Sequence, residues 1–210
     1  MMSRRALAPA LALAALALWP LVPHADEPEA LLARIRSHLA DAPVLRGEFE
    51  QRKTLKGFKH PLVSRGDYVV AKARGVVWRT QEPFASTLVL TRERLLARQP
   101  DGSVANRLDT AQEPGLRAVN EMLFALIAAD LSALAPRFRI DGEEHGTGWK
   151  VVLVPRDATL AQWIKRIELD GDRQVNEVRI TEAGGDTSQI RFSRQQAGQT
   201  LTREEETRFE

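Results

Sequence analysis

Apolar and polar side chains alternate with period two through most of this chain, and the alternation marks out short strands. Over residues 44–55, Leu45, Gly47, Phe49 and Gln51 share one face while Arg46, Glu48, Glu50 and Arg52 share the other, which predicts one buried face and one wet one. The pattern recurs over 66–72, where Tyr68 and Val70 oppose Asp67, and over 75–80, where Val76 and Trp78 oppose Val77 and Arg79. It continues over 87–91 and 94–98, and later over 137–141, 149–154, 164–170, 177–181 and 190–193. Gly146-Thr147-Gly148, Asp170-Gly171 and Gly184-Gly185 stand where hairpin turns are needed, and no long crossover intervenes among the first strands. An antiparallel meander follows, mainly β with helices as accessories.

Two stretches break the period. Pro28, with Asp26 and Glu27 near the positive end of a helix dipole, opens a helix whose Leu31, Leu32, Ile35 and Leu39 share a face. Asp41-Ala42-Pro43 ends it, because Pro43 disfavours helical geometry in the residue before it. The second helix is predicted over 115–131, with a stripe of Leu116, Val119, Met122, Leu123, Leu126 and Ile127 that Phe124 widens. Such a stripe ordinarily packs in a core. A long sheet with few helices to cover it, however, packs on itself or closes around space, and a barrel-like sheet with a helical plug holds an apolar ligand.

Composition narrows the function. Residues 1–25 have the order of a secretory signal: Arg4 and Arg5, an apolar core from Leu7 to Leu18, and Ala25 before the expected cut. That core is short and broken by Pro20 and Pro23, whereas a spanning helix needs about 20 apolar residues. The chain has 30 basic and 28 acidic residues, and two of the basic ones lie in the signal, so the rest is balanced and a nucleic-acid reading has no basic stripe to rest on. With no Cys, neither a disulfide nor acylation of a leading cysteine is available. The expectation is one domain over 26–210, soluble in the periplasm after cleavage of the signal.

Catalytic signatures are missing. His38, His60 and His145 have no partner at metal-ligand spacing, so no metal and no cofactor are expected. Ser64, Ser86, Ser132, Ser188 and Ser193 lack a nucleophile elbow, and no Gly-rich loop precedes a helix. Trp78, Trp149 and Trp163 read as core fillers unless a cavity is present. An enzyme is not expected.

Several blocks in order resemble the LolA-type periplasmic lipoprotein carriers: Phe49-Glu50-Gln51, Gly66-Asp67-Tyr68-Val69-Val70, Trp78, Gln81-Glu82-Pro83, Phe124-Ala125-Leu126-Ile127-Ala128, and Trp149 to Pro155 through to Ile190-Arg191-Phe192. The resemblance implies a half-open antiparallel barrel lidded by helices, whose apolar interior holds the acyl chains of a lipoprotein. Under it, Leu39, Leu45, Phe49, Tyr68, Val70, Val76, Trp78, Leu88, Leu90, Met122, Leu123, Phe124, Leu126, Ile127 and Trp149 are the expected lipid-binding residues. It also implies an inner-membrane lipoprotein-releasing transporter and an outer-membrane acceptor as partners of a monomeric carrier. In that family an Arg on the second strand ties the lid and a Phe four residues later lines the mouth; Lys72 and Val76 stand at the matching positions, with Arg74 two residues along as a substitute latch. Family members that serve lipoproteins commonly continue with a further loop and strand, whereas the terminal Arg203-Glu204-Glu205-Glu206-Thr207-Arg208 reads as a strand end or a solvated acidic tail. A carrier of another acylated or polyene-type lipid, and a periplasmic regulatory module of similar fold, are the alternatives.

Overall fold

The computed structural model describes residues 27–109, 124 and 134–210. The signal over 1–25 and nearly all of the helix over 115–131, including Met122, Leu123, Leu126 and Ile127, lie outside the described residues. The first helix is α1 (Glu27–His38). The strands are β1 (Val44–Thr54), β2 (Leu62–Ala71), β3 (Gly75–Glu82), β4 (Ser86–Thr91), β5 (Arg94–Arg98), β6 (Val104–Asp109), β7 (Phe138–His145), β8 (Gly148–Pro155), β9 (Ile164–Gly171), β10 (Val175–Glu182) and β11 (Thr187–Gly198). Two short helices follow the same numbering, α2 (Ala158–Ala161) and α3 (Arg203–Arg208).

All eleven described strands belong to one sheet, in the order β6-β5-β4-β3-β2-β1-β11-β10-β9-β8-β7. Every described pairing is antiparallel. Within β1–β6 and within β7–β11 neighbours in the chain are neighbours in the sheet, and β1 and β11 join the two halves, so β6 and β7 are its edges and the sheet is not closed into a barrel. The expected meander is therefore present, with one strand more than the alternation predicts. That strand, β6, is almost wholly exposed. With neither face buried, Val104-Ala105-Asn106-Arg107-Leu108-Asp109 carries no alternation to read.

Among the described residues, helix packs on one half of each face. On one face, Leu32 and Ile35 of α1 join Phe138, Ile140, Trp149, Val151, Leu153, Ile167 and Leu169 in a buried cluster over β7–β9, with Val178 and Ile180 of β10 against it. The expected α1 face is thus the one buried. On the opposite face, Val44, Val69, Ala71, Val77, Val89 and Leu96 form a second cluster across β1–β5, closed by Phe209 with Leu201 against it.

This second cluster corrects two expectations. The face of β1–β5 opposite Tyr68 and Trp78 is not simply wet, and the C-terminal residues are neither a strand end nor a solvated tail. They form α3, capped by Thr202, whose hydroxyl accepts from the Glu205 amide at 3.2 Å while the Glu205 carboxylate accepts from the Thr202 amide at 2.7 Å. Arg46 of β1 clamps the same carboxylate: Nε donates at 2.5 Å, Nη2 donates at 2.7 Å, and Nη2 also donates to the Thr200 carbonyl at 2.7 Å. Arg94 donates to the Glu210 carbonyl at 2.8 Å and Arg74 to the Glu206 carbonyl at 3.3 Å. Away from that cluster this face carries charged ladders open to water, Arg65–Glu50 and Arg79–Asp67 on β1–β3 and Lys150–Glu168, Arg166–Glu168, Arg179–Glu177 and Arg191–Glu177 on β8–β11.

The Glu205 residue is only 8% exposed. The Arg46 guanidinium, opposed by burial and helped by the Thr202 amide, lowers its pKa from 4.5 to about 2. A depressed carboxylate stabilises the fold above its unfolded-state pKa, and that stabilisation is lost as pH falls through the folded value. Glu205→Gln is therefore expected to destabilise the protein by about 2–3 kcal/mol at neutral pH, with the gap to wild type closing between pH 4.5 and about 2. Urea titrations of both proteins across that range measure it, and a gap independent of pH contradicts the assignment.

Candidate functional site

Where α1 ends, no described helix covers the same sheet face over β1–β4, and a cavity of about 290 Å³ lies there. Its walls come from both halves of the sheet: Leu45 of β1, Tyr68 and Val70 of β2, Val76 and Trp78 of β3, Leu88 and Leu90 of β4, Leu169 of β9, Val175 and Val178 of β10, and Phe192 of β11. Period-two geometry explains the first-half set, since cross-strand pairs Leu45–Val70, Val70–Val76, Tyr68–Trp78, Val76–Leu90 and Trp78–Leu88 point to one face.

Four aromatic rings close one wall. Phe49 stacks on Trp78 with centroids 3.8 Å apart, and Phe192 meets Tyr68 and Trp78 edge-on at 5.1 and 6.1 Å. Room for the Tyr68 ring comes from Gly47, where a Cβ would lie 2.7–2.9 Å from the ring and its hydroxyl. The Tyr68 hydroxyl donates to Gln195 Oε1 at 2.8 Å, and Gln195 Nε2 donates to the Val175 carbonyl at 2.9 Å. Burial pushes the Tyr68 phenol pKa up, so it stays a neutral donor. A bulge delivers Gln195 to this place: Arg46 pairs with Gln196 and Glu48 with Ser193, so Arg194 and Gln195 together oppose Gly47, and Arg194 takes the left-handed φ of 49°.

A strap over 39–43 borders the opening. The Ala40 amide donates to the Arg173 carbonyl at 2.8 Å, and the Lys72 amide donates to the Pro43 carbonyl at 3.0 Å. The Lys72 ammonium donates to Asp41 at 2.5 Å, holding the Asp41 carboxyl below its usual range. Lys72, Arg173, Gln174, Leu39, Ala40 and Ala42 complete the lining.

Of the residues expected to bind lipid, Leu39, Leu45, Tyr68, Val70, Val76, Trp78, Leu88 and Leu90 line this cavity. Phe49 stands behind Trp78, and Phe124 is buried with the Arg92 guanidinium 4.8 Å from its ring centroid. Trp149 is packed in the core under α1 instead, with its indole donating to the Asp172 carbonyl at 2.7 Å. Lys72 is at the opening, whereas Arg74 reaches the C-terminal helix on the other face. Leu169, Arg173, Gln174, Val175, Val178, Phe192 and Gln195 line the cavity as well, outside the expected set. Leu169 was within reach of the alternation; Val175, near an irregularity in the β9–β10 pairing, and Gln195, in the β11 bulge, were not.

A larger depression of about 540 Å³ lies against Glu48, Glu50, Arg65, Asp67, Glu82 and Arg191. Its charges are already paired, with Arg65 on Glu50 and Glu82, Arg79 on Asp67, and Arg194 on Glu48. Among the described residues, no three His, Cys, Asp or Glu side chains gather as a metal site, and no helix is long and apolar enough to cross a membrane. The apolar cavity is the better candidate, because its walls are mostly apolar, with a few polar groups gathered at Gln195 and at the opening.

A family model for the outer membrane lipoprotein carrier protein LolA matches residues 40–205. A search of curated proteins gave no match. Among solved structures, a LolA superfamily protein from Nitrosomonas europaea is similar at 10% identity with a TM-score of 0.47, covering 83% of this chain and 94% of that one. The MucA/MucB complex of Pseudomonas aeruginosa is similar at 14% identity with a TM-score of 0.45, covering 84% of this chain and 59% of that one.

Filling the cavity without disturbing the sheet tests whether it binds. Val76→Trp places an indole in the open space, so affinity for a fluorescent apolar probe is expected to fall about tenfold or more while the circular dichroism spectrum stays that of wild type. Equal probe affinity in the two folded proteins contradicts the cavity as the binding site.

Proposed function

The chain belongs to the LolA family of outer membrane lipoprotein carrier proteins, and from that premise we propose that its cavity holds the acyl chains of a lipoprotein, or of a related lipid, during passage through the periplasm from inner to outer membrane. The observation that carries this reading is the uninterrupted apolar wall of Leu45, Val70, Val76, Leu88, Leu90 and Val178 beside a polar opening. Each methylene transferred from water into such a wall contributes about 0.8 kcal/mol, so an acyl chain binds there without any covalent chemistry. At family level the role is that of a carrier rather than an enzyme, and the proposed partners are a releasing transporter in the inner membrane and an acceptor in the outer membrane.

A carrier must release what it binds. The strap is suited to this because its side-chain latch is a single ion pair whose Asp41 end is 93% exposed, and exposed pairs of this kind contribute little stability. Lys72 takes the position of the family's latching Arg but presents a point charge rather than a planar fork, so it grips one carboxylate oxygen. A membrane partner that binds the open strap better than the closed one shifts the balance toward release.

Two measurements test the reading. Incubated with an acylated lipopeptide, the protein is expected to bind it in competition with the apolar probe; a probe that stays bound at saturating lipopeptide counts against acyl cargo. Lys72→Met should raise the probe's dissociation rate several-fold by stopped-flow, in keeping with the loss of one exposed ion pair. An unchanged rate removes Lys72 from the latch.

A further inference from the structure

One end of the sheet carries nearly all of the described chain's exposed large apolar side chains. Phe84 is 83% exposed, Trp163 70%, Phe58 67%, Leu62 61% and Val104 53%. Register gathers them at that end: Thr54 at the end of β1 pairs with Thr187 at the start of β11, Lys53 with Leu62, Glu182 with Ile164 beside Trp163, and Arg98 with Val104. Phe84 sits in the β3–β4 turn, Phe58 in the β1–β2 loop and Trp163 just before β9. At about 4.8 Å per strand the three are spread along roughly 25 Å of sheet. The expectation that Trp163 fills a core is thereby overturned.

These side chains are held outward by ordered backbone. The Lys56 amide donates to Asp186 at 2.9 Å, and the Ala183 amide donates to the Trp163 carbonyl at 2.9 Å, which ties the β1–β2 loop, the β10–β11 turn and Trp163 into one rim. The β1–β2 hairpin runs beyond the end of β3, because β2 pairs with β3 only from Arg65 onward while its pairing with β1 begins at Leu62. Between β1 and β2, residues 55–61 include Lys56, Lys59 and His60 and no acidic residue. Acidic groups elsewhere on the rim are engaged: Glu182 with Lys53, Glu82 with Arg65, Asp157 with the first amides of α2, Asp101 with the Ser103 amide and hydroxyl, and Asp186 with the Lys56 backbone amide.

We propose that this rim rests on an anionic lipid bilayer, with Phe58, Phe84 and Trp163 entering the boundary between headgroups and acyl chains while Lys56, Lys59 and the exposed Lys165, two residues after Trp163, meet lipid phosphates. Aromatic rings at the interface flanked by lysines are what such a surface recognises. The rings stand on separate projecting tips rather than in a groove or one flat patch, which suits penetration of a soft surface more than a fit to a folded partner. The strap over 39–43 lies at the other end, where Val44 pairs with Ala71, so the cavity opening stays free while the rim is docked. The inference does not depend on which cargo the cavity holds.

Co-sedimentation of the exported protein, purified from the periplasm of an expressing bacterium, with phosphatidylglycerol vesicles and with phosphatidylcholine vesicles tests it. Binding is expected to the anionic vesicles, to weaken as salt rises from about 0.05 to about 0.5 M, and to drop tenfold or more in Phe58→Ser/Trp163→Ser. Lys56→Glu/Lys59→Glu should remove the salt-sensitive part. Val76→Trp should bind vesicles like wild type, which separates this proposal from the cavity reading. No association with anionic vesicles, equal binding to both vesicle types, or undiminished binding by Phe58→Ser/Trp163→Ser overturns the proposal.

Discussion

The cavity depends on where α1 stops. The helix covers β7–β10 with Leu32 and Ile35 and then ends, because Pro43 opposes helical geometry before it and the Ala40 amide is taken by the Arg173 carbonyl. Continued helix would extend that cover toward β1–β4. Instead the chain turns directly into β1, and its turning residues become the strap. The same short segment thus closes the hydrophobic cluster on one side and borders the apolar space on the other.

The sheet makes this arrangement stable by burying its two halves on opposite faces. Over β7–β10 the apolar positions face α1; over β1–β5 a second apolar set faces Phe209 and the C-terminal helix. Strands β1 to β4 are therefore anchored from the far face. Arg46 links the systems, since it lies on β1 beside the cavity residue Leu45 while gripping Glu205 on the far side. Anchorage from the far face is what lets the near face border a cavity.

Much of this was legible in the sequence, and the failures have physical causes. Strict alternation in β1 to β4 placed Leu45, Tyr68, Val70, Val76, Trp78, Leu88 and Leu90 on one face, because period two survives wherever the ladder is regular. The bulge that turns Gln195 inward left no mark, since it rests on a positive φ at Arg194, a residue type that does not advertise one. Trp149 shares its hydrophobic type with the lining but belongs to the half that α1 covers, and only topology decides that. The C-terminal helix was signalled by Thr202 and Glu205 at capping-box spacing, a cue hidden within a run of charge. Asp41 as the partner of Lys72 is a loop contact across 31 positions, beyond any local pattern.

Mass spectrometry of the material extracted from the protein, purified gently from its native periplasm, tests the central claim most directly. An acylated molecule is expected in stoichiometric amount in the wild type and missing from Val76→Trp. A wild-type protein that yields no acylated ligand, or a ligand retained equally by the filled cavity, would contradict it.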